Sequence, residues 1–147
     1  MKHFLLTISI VCLLLVSYTA LNGAEWVYYG ESANGQRYYD KESISSGKGI
    51  IRVWSKTIYS EKGKQKYIEE AKIDGSYKKR YENLSYATML YVFSCDTREY
   101  DFTFGVGWDS EGSQINTISI PSISYRPISP ETVTETLYNI VCKVEKK

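Results

Sequence analysis

The sequence predicts an α+β fold, a mainly antiparallel β-sheet of about six strands with one C-terminal α-helix packed on one face. Residues 98–108 alternate between large side chains and smaller or polar ones, which is the period of a strand with one buried face. An aromatic run at 84–95 precedes this strand, and residues 129–144 carry a helical apolar stripe. Together they indicate a hairpin whose aromatic face is covered by the last helix.

Residues 1–24 are expected to be a secretory signal peptide that is removed on export. Lys2 precedes an apolar core at 4–16, which is shorter than the roughly 20 residues of a membrane-spanning helix. The remaining residues 25–147 have the length of a single domain. This organisation predicts an exported protein with no integral membrane span after cleavage.

The exported part is neutral and lacks histidine. Of the 18 Lys and Arg residues only Lys2 lies within residues 1–24, and none of the 17 Asp and Glu residues does, so the exported part has a formal net charge of zero. This balance favours neither nucleic acid nor an anionic membrane as a partner. His3 is the only histidine, so most nucleophile pairs and zinc sites are excluded. We therefore predict a protein that is not an enzyme and holds no cofactor or metal.

Three strands are predicted before the first helical segment. Aromatic-rich runs at 25–31 and 36–40 flank Asn34-Gly35, which is a strong hairpin signal. Residues 50–59 are rich in β-branched and aromatic side chains, and they predict the third strand.

A charged segment at 60–83 interrupts the sheet. Within it, residues 65–74 predict a short helix that Gly75 ends. The chain returns to the sheet with the hairpin at 84–108, and residues 113–120 predict the last strand.

The predicted loop of that hairpin is Asp96-Thr97. This register places both aromatic rows on one face, whereas a slip of one residue would turn one row to the other face. The opposed pairs are Cys95 with Arg98, Phe93 with Tyr100, Tyr91 with Phe102, Met89 with Phe104, and Ala87 with Val106.

The last helix is predicted to begin with Ser129 as its N-cap, followed by Pro130 and Glu131 in its first turn. Cys142 lies about 180° around this helix from Val133, so either the last turn is expected to be frayed or the helix is expected to end near Val141. The apolar stripe consists of Val133, Leu137, Ile140, Val141 and Val144.

Cys95 and Cys142 are the two cysteines of the exported part. An even number of cysteines in an oxidising compartment predicts a disulfide bridge. In the chain-entropy model such a bridge contributes on the order of 4 kcal/mol. The alternative is a pair of unpaired, buried thiols.

The predicted partner-binding surface lies outside the helix-covered face. In the predicted register Gly105 and Gly107 lie on the outer face, opposite Thr88 and Tyr86, where they let that face bend or accept a large neighbour. A basic run in the charged segment is a second candidate, with a solvated charge run as its alternative. The open strand edges are a third candidate. The candidate residues are Tyr86, Gly105, Gly107, Lys78, Lys79 and Arg80.

Several short motifs follow one another along the exported part. They are Trp26, Tyr38-Tyr39-Asp40 with Ser43-Ile44, Ile51-Arg52-Val53-Trp54, Cys95, Pro127-Ile128-Ser129-Pro130 and Val141-Cys142. Their order and spacing resemble the surface-adhesin protein E family of Gram-negative bacteria. The resemblance covers nearly the whole exported part, and it implies a six-stranded antiparallel sheet with a packed C-terminal helix and two bridged cysteines.

The resemblance implies an exported, non-catalytic protein-binding module, adhesin-like, at the cell surface or envelope. Its partner is then a host extracellular protein or an envelope component. The alternative is a periplasmic structural or accessory subunit that binds another envelope protein. The open edges of such a sheet also make a homodimer an expected assembly. Three locations fit these expectations: the periplasm, association with the outer membrane, or the cell surface.

Overall fold

A computed structural model describes residues 23–144. They form a β-sheet and two α-helices. The predicted signal peptide lies outside the described residues, apart from its last two positions. The strands are β1 (Trp26–Ser32), β2 (Gly35–Asp40), β3 (Ser45–Gly47), β4 (Ile50–Tyr59), β5 (Tyr86–Ser94), β6 (Glu99–Trp108), β7 (Gln114–Ser119) and β8 (Arg126–Pro127), and the helices are α1 (Glu61–Ile73) and α2 (Val133–Val144).

The strands pair antiparallel in the order β1-β2-β4-β5-β6-β7. The short strands lie off this path, with β3 paired to β4 and β8 paired to β6. This topology confirms the predicted fold class, and β4 has the predicted bounds. Strand β3 lies in the turn-rich segment 45–49, where the sequence predicts no strand.

Helix α1 begins four residues before the predicted start because Ser60 caps it. The Ser60 hydroxyl accepts a hydrogen bond from the backbone N–H of Gly63 at 3.0 Å. A Cβ on Gly63 would lie 2.0 Å from the carbonyl oxygen of Asn34. The glycine therefore allows the first turn of α1 to rest on the β1–β2 loop.

Both helices cover the same face of the sheet. Phe93 of β5 packs in one core with Leu137 and Val141 of α2. Ala87, six residues earlier in β5, lines a cavity together with Tyr67 of α1. Because side chains alternate along a strand, Phe93 and Ala87 point to the same side. We call this side the helix-bearing face and the opposite side the helix-free face.

The hairpin register differs from the predicted one. The pairs Phe93 with Tyr100 and Tyr91 with Phe102 are confirmed, but a bulge in β6 follows. The predicted partners of Met89 and Ala87 are therefore wrong. Beyond the bulge the pairs are Leu90 with Phe104, Met89 with Gly105, Thr88 with Val106, Ala87 with Gly107 and Tyr86 with Trp108.

The bulge divides the aromatic row of β6 between the two faces. Tyr100 and Phe102 point to the helix-bearing face, whereas Phe104 and Trp108 point to the helix-free face. The loop also has four residues, since Ser94 pairs with Glu99, rather than the predicted two.

Helix α2 begins at Val133, so the predicted N-cap at Ser129 is wrong. Thr132 is the actual cap: its hydroxyl accepts a hydrogen bond from the Glu135 N–H at 3.2 Å. The Glu135 carboxylate in turn accepts one from the Glu131 N–H at 2.7 Å, in the manner of a capping box. Glu131 itself has a φ of 59° and lies in the turn before the helix.

Helix α2 continues past Val141 to Val144, so its predicted end is also wrong. The most buried positions are Leu137 and Val141, and Cys142 follows Val141 by about 100°. Cys142 thus lies on one flank of the buried side, and Val133, on the opposite flank, is half-buried. Cys142 is buried and bonded to Cys95, which confirms the predicted disulfide bridge.

Candidate protein-binding surface

The helix-free face carries all three tryptophans of the chain. Ile58 of β4, Tyr86 of β5 and Trp108 of β6 form one row across the sheet. Tyr38 and Lys56 are neighbours in the next row. The other large side chains on this face are Trp26, Tyr28, Trp54, Leu90, Phe104 and Val106.

A groove of about 460 Å³ crosses this face. The rings of Tyr86 and Trp108 stack along it, with centroids 6.1 Å apart and planes inclined by 15°. The indole N–H of Trp108 donates to the Thr88 hydroxyl at 3.0 Å, which fixes the ring. Ile58 lies between the aromatic walls and is 40% exposed. The groove is therefore apolar, shaped by fixed rings, and open to solvent.

Lys56 gives the groove a positive charge. Its ammonium lies 4.4 Å from the ring centroid of Trp26 and 5.6 Å from that of Tyr38. Burial lowers the pKa of Lys56 below its usual value. Within residues 23–144 neither Lys56 nor Arg52, on the same face of β4, forms an ion pair with an acidic side chain. The face thus combines aromatic walls with cations that have no acidic partner there.

The structure does not gather the predicted site residues in one place. Tyr86 lies in the groove. The outer-face position predicted for Gly105 and Gly107 is wrong, because the β6 bulge turns both to the helix-bearing face. The basic run, Lys78 to Arg80, lies in the connection between α1 and β5, where Lys79 pairs with Glu82 at 2.7 Å.

The two glycines form the floor of a cavity of about 270 Å³ on the helix-bearing face. Tyr67 of α1 bounds it, and its hydroxyl accepts a hydrogen bond from the Asn116 amide at 2.6 Å. A second cavity of about 370 Å³ lies on the other side of this pair, beneath the C-terminal end of α1. Glu70 borders both cavities.

A polar layer lies on the helix-bearing face of strands β1, β2 and β4. Tyr29 is hydrogen-bonded to Ser55 at 3.0 Å, and Arg37 donates to Thr57 at 2.6 Å. Burial raises the pKa of Tyr29 and of Tyr59 to about 12. Both phenols are neutral near pH 7, and the Tyr29 hydroxyl serves as a packed hydrogen-bonding group.

Four residues of the groove, Trp26, Lys56, Ile58 and Trp108, are not among the site residues predicted from the sequence. The positions of Lys56 and Ile58 follow from the alternation of β4, whose even-numbered side chains lie on the side away from the buried Ile51 and the other core residues of that strand. Reading both faces of β4 would have shown Trp54, Lys56 and Ile58 on the side away from the core.

Two further features concern the residues that the structure describes. In the stretch 23–144 no helix is long and apolar enough to cross a membrane. Over the same residues no three or more His, Cys, Asp and Glu side chains are grouped so as to hold a metal ion.

The chain thus forms one antiparallel sheet with a disulfide-linked helix on one face and an open aromatic groove on the other. A sequence model of the family described as surface-adhesin protein E matches residues 26–143, and the chain belongs to this family. Membership supports an adhesin-like role and implies a non-enzymatic protein that is exported or located at the surface.

Solved structures of Haemophilus influenzae protein E share the fold. Its crystal form II is 14% identical over 83% of this chain and 90% of that chain, with a TM-score of 0.53. A second structure of the same protein is 14% identical over 81% of this chain and 84% of that chain, with a TM-score of 0.50. No curated protein sequence matches the chain.

Proposed function

We propose that this chain is an exported, non-catalytic adhesin-like module that binds a host extracellular protein at the cell surface. The observation that carries the proposal is the open aromatic groove of the helix-free face, with Lys56 between Trp26 and Ile58. Family membership supports the adhesin-like role.

The groove has the composition of a protein interface. Tryptophan and tyrosine are enriched among the residues that dominate binding energy, because their rigid rings bury a large area at low entropic cost. Tyr86 and Trp108 are held by stacking and by the bond to Thr88. Less side-chain freedom is therefore lost when a partner packs on them.

Lys56 and Arg52 indicate which chemical groups a partner should bring to this face. A partner surface that brings apolar side chains to Ile58 and a carboxylate to Lys56 or Arg52 would satisfy both features of the face. Lys56 is already partly desolvated, so a carboxylate placed beside it gains more than at a fully solvated lysine. Binding is then expected to weaken as salt is raised.

A matched pair of substitutions tests the groove. Ile58 and Ile123 are 40% and 41% exposed, but only Ile58 lies in the groove. Binding of the purified protein to immobilised extracellular-matrix proteins is measured for wild type, Ile58→Glu and Ile123→Glu. We expect a loss of at least about tenfold in affinity for Ile58→Glu, equivalent to about 1.4 kcal/mol, and little change for Ile123→Glu.

Two outcomes would contradict the proposal. Equal binding by both variants would remove the groove as the binding surface. If wild type binds matrix proteins no better than an unrelated β-domain does, the adhesive function itself is wrong.

The location of the protein in the cell distinguishes this proposal from the alternative of a periplasmic accessory subunit, and protease accessibility measures it. Cleavage of the protein on intact cells by an added protease supports the surface location. Protection until the outer membrane is breached supports a partner within the envelope.

A further inference from the structure

Strand β7 is an open edge of the sheet. The Ile120 N–H donates to the Thr103 carbonyl of β6 at 2.9 Å. In an antiparallel ladder such paired positions alternate, so Asn116 and Ile118 also bond toward β6. The N–H and C=O groups of Thr117 and Ser119 therefore point away from the sheet, and both residues are exposed.

The opposite edge is less accessible. Strand β1 contains a bulge near its middle, between Tyr28 and Gly30, and a bulge disrupts the row of backbone groups that a new strand would need. The bulge of β7 lies at its first residues, between Gln114 and Asn116, and leaves residues 116–119 in regular register. Helix α2 also reaches over this edge, since Val133 Cγ1 lies 3.5 Å from the position of a Cβ on Gly30. Of the two edges of the main path, β7 is the better template for an added strand.

The two cavities beside Tyr67 meet at this edge. Both are bordered by Asn116 and Ile118, which are two residues apart and thus on the same face. A strand that pairs with β7 points every second side chain to that face. Its side chains would then lie beside the cavities, as in strand addition, where the backbone supplies affinity and the pockets supply selectivity.

The rim of the cavities is acidic. Glu70 borders both cavities, and Asp74 borders the one beneath the end of α1. Glu70 has a weak ion pair with Lys66 at 3.9 Å. Asp74 forms no ion pair with any residue of the range 23–144. A basic side chain on the incoming strand would complement these carboxylates.

We infer that β7 is a docking edge for an extended segment of the protein partner, one that carries apolar residues and a lysine or arginine on the same face. The segment adds to the sheet beside Thr117 and Ser119 and places its apolar side chains at the two cavities. This inference rests on the proposed protein-binding function and adds a second contact surface to the groove.

A substitution at one outward-facing amide tests the edge. Thr117→Pro removes an N–H that points away from the sheet, and proline is tolerated at such edge positions. Thr117→Val keeps the N–H and is the matched control. The probe is the fluorescein-labelled peptide Thr-Leu-Thr-Lys-Thr-Leu-Thr, and its anisotropy is measured with the purified protein. We expect at least tenfold weaker binding for Thr117→Pro and no more than a twofold change for Thr117→Val.

Two further measurements test the cavities and the charge. Gly105→Leu fills the floor of the cavity bounded by Tyr67 and is expected to weaken peptide binding at least threefold. Gly105→Ala, whose Cβ meets nothing closer than 3.5 Å, is its control. A peptide with glutamate in place of lysine is expected to bind at least tenfold more weakly.

A measurement on the wild-type protein covers the case in which Thr117→Pro fails to fold. Peptide binding should slow hydrogen exchange of the Thr117 and Ser119 amides at least tenfold. Unchanged exchange, or equal binding by folded Thr117→Pro and Thr117→Val, overturns the inference. If wild type sediments as a dimer, Thr117→Pro as a monomer, and neither binds the peptide, the occupant of the edge is a second copy and the inference is wrong.

The groove variant Ile58→Glu distinguishes failure of the docking edge from failure of the proposed function. Ile58→Glu should leave peptide binding unchanged, because Ile58 lies on the other face. Loss of matrix-protein binding in Ile58→Glu but not in Thr117→Pro supports the proposed function and contradicts the docking edge.

Discussion

Helices α1 and α2 lie on the same face of the sheet, but different interactions hold them there. Helix α2 packs Leu137 and Val141, both fully buried, against the sheet and is bonded to it through Cys142. Helix α1 buries only Gly63, Ile68 and Ala71, and it meets the sheet through tyrosine rings and the bond from Asn116 to Tyr67. One helix is fixed by apolar packing and a covalent bond, the other by partial packing and polar contacts.

The part of the sheet under α2 is densely packed, whereas the proposed binding surfaces lie at the less densely packed part beside α1. The segment under α2 is filled by a continuous core, formed by Tyr39, Ile51, Val53, Phe93, Ile128, Leu137, Val141 and Cys142. Beside α1 the small side chains of Ala87, Gly105 and Gly107 leave cavities instead. A tightly packed half can hold the sheet rigid while the other half, with the groove on the reverse side, remains available to a partner.

The disulfide is expected to have the largest effect on stability. Cys95→Ser should lower the free energy of unfolding by about 4 kcal/mol, because the bridge restricts the unfolded chain. Cys142→Ser should lower it by a similar amount, and the double variant should be no worse than either. Chemical denaturation of all three measures this. Losses that add in the double variant would show that the two cysteines act separately.

Alanine substitutions of one buried residue in each helix test whether α1 and α2 are held differently. Leu137→Ala should cost about 3 kcal/mol, because Leu137 is fully buried and its neighbours are fixed by the disulfide. Ile68→Ala in α1 should cost about 2 kcal/mol, since the site adjoins cavities and can relax. Denaturant midpoints give both values. A loss for Ile68→Ala equal to or above that for Leu137→Ala would remove the contrast between the two halves.

The elements of the fold could be predicted because their signals are local. Residues 50–59 have the composition of a strand, and the observed strand β4 has the same bounds. The β1–β2 hairpin, whose turn is Ala33-Asn34 with Gly35 as the first residue of β2, and the end of α1 before Gly75 also follow from nearby residues. The pairing of Cys95 with Cys142 followed from their number and the expected export.

The position of the candidate site could not be predicted from the sequence, because the bulge in β6 determines which residues share a face. The row from Tyr100 to Trp108 alternates without interruption in the sequence, yet the bulge in β6 sends its two halves to opposite faces. Both faces carry aromatic side chains, so alternation alone does not identify the side that the helices cover. The groove itself joins residues of strands β1, β4, β5 and β6, whose neighbourhood depends on long-range pairing.

Asp101 of β6 holds the segment between β7 and α2 against the sheet. Its negative charge should make the stability of the protein depend on pH. Asp101 is 3% exposed and accepts hydrogen bonds from the Ser124 N–H at 2.8 Å and from the Arg126 guanidinium at 3.0 Å. Burial alone would raise the pKa of Asp101, but these bonds outweigh it and hold the pKa below its usual value. Asp101→Asn should therefore cost about 2 kcal/mol at neutral pH.

The pH dependence follows from the direction of that shift. Because the pKa is lower in the folded state, the contribution is present above the unfolded value of about 4 and is lost as the pH falls through the folded value. The difference in Tm between wild type and Asp101→Asn should shrink as the pH is lowered from about 6 toward 3. Asp96→Asn in the exposed hairpin loop is the control. A constant difference for Asp101→Asn would show that its contribution is not ionic.

The two glycines beneath α1 give the smallest expected effects, with opposite signs. A Cβ on Gly105 meets only Met89 Cγ and the Thr88 carbonyl oxygen at 3.5 Å, so Gly105→Ala should stabilise by about 0.5 kcal/mol through reduced backbone entropy. A Cβ on Gly107 would lie 2.2 Å from Asn116 Oδ1. Gly107→Ala must displace the side chain that holds Tyr67, so it should destabilise by about 1 kcal/mol. Thermal melts distinguish the two. If both substitutions are neutral, the cavity bounded by Tyr67 adjusts freely, and α1 is held even less firmly than its polar contacts indicate.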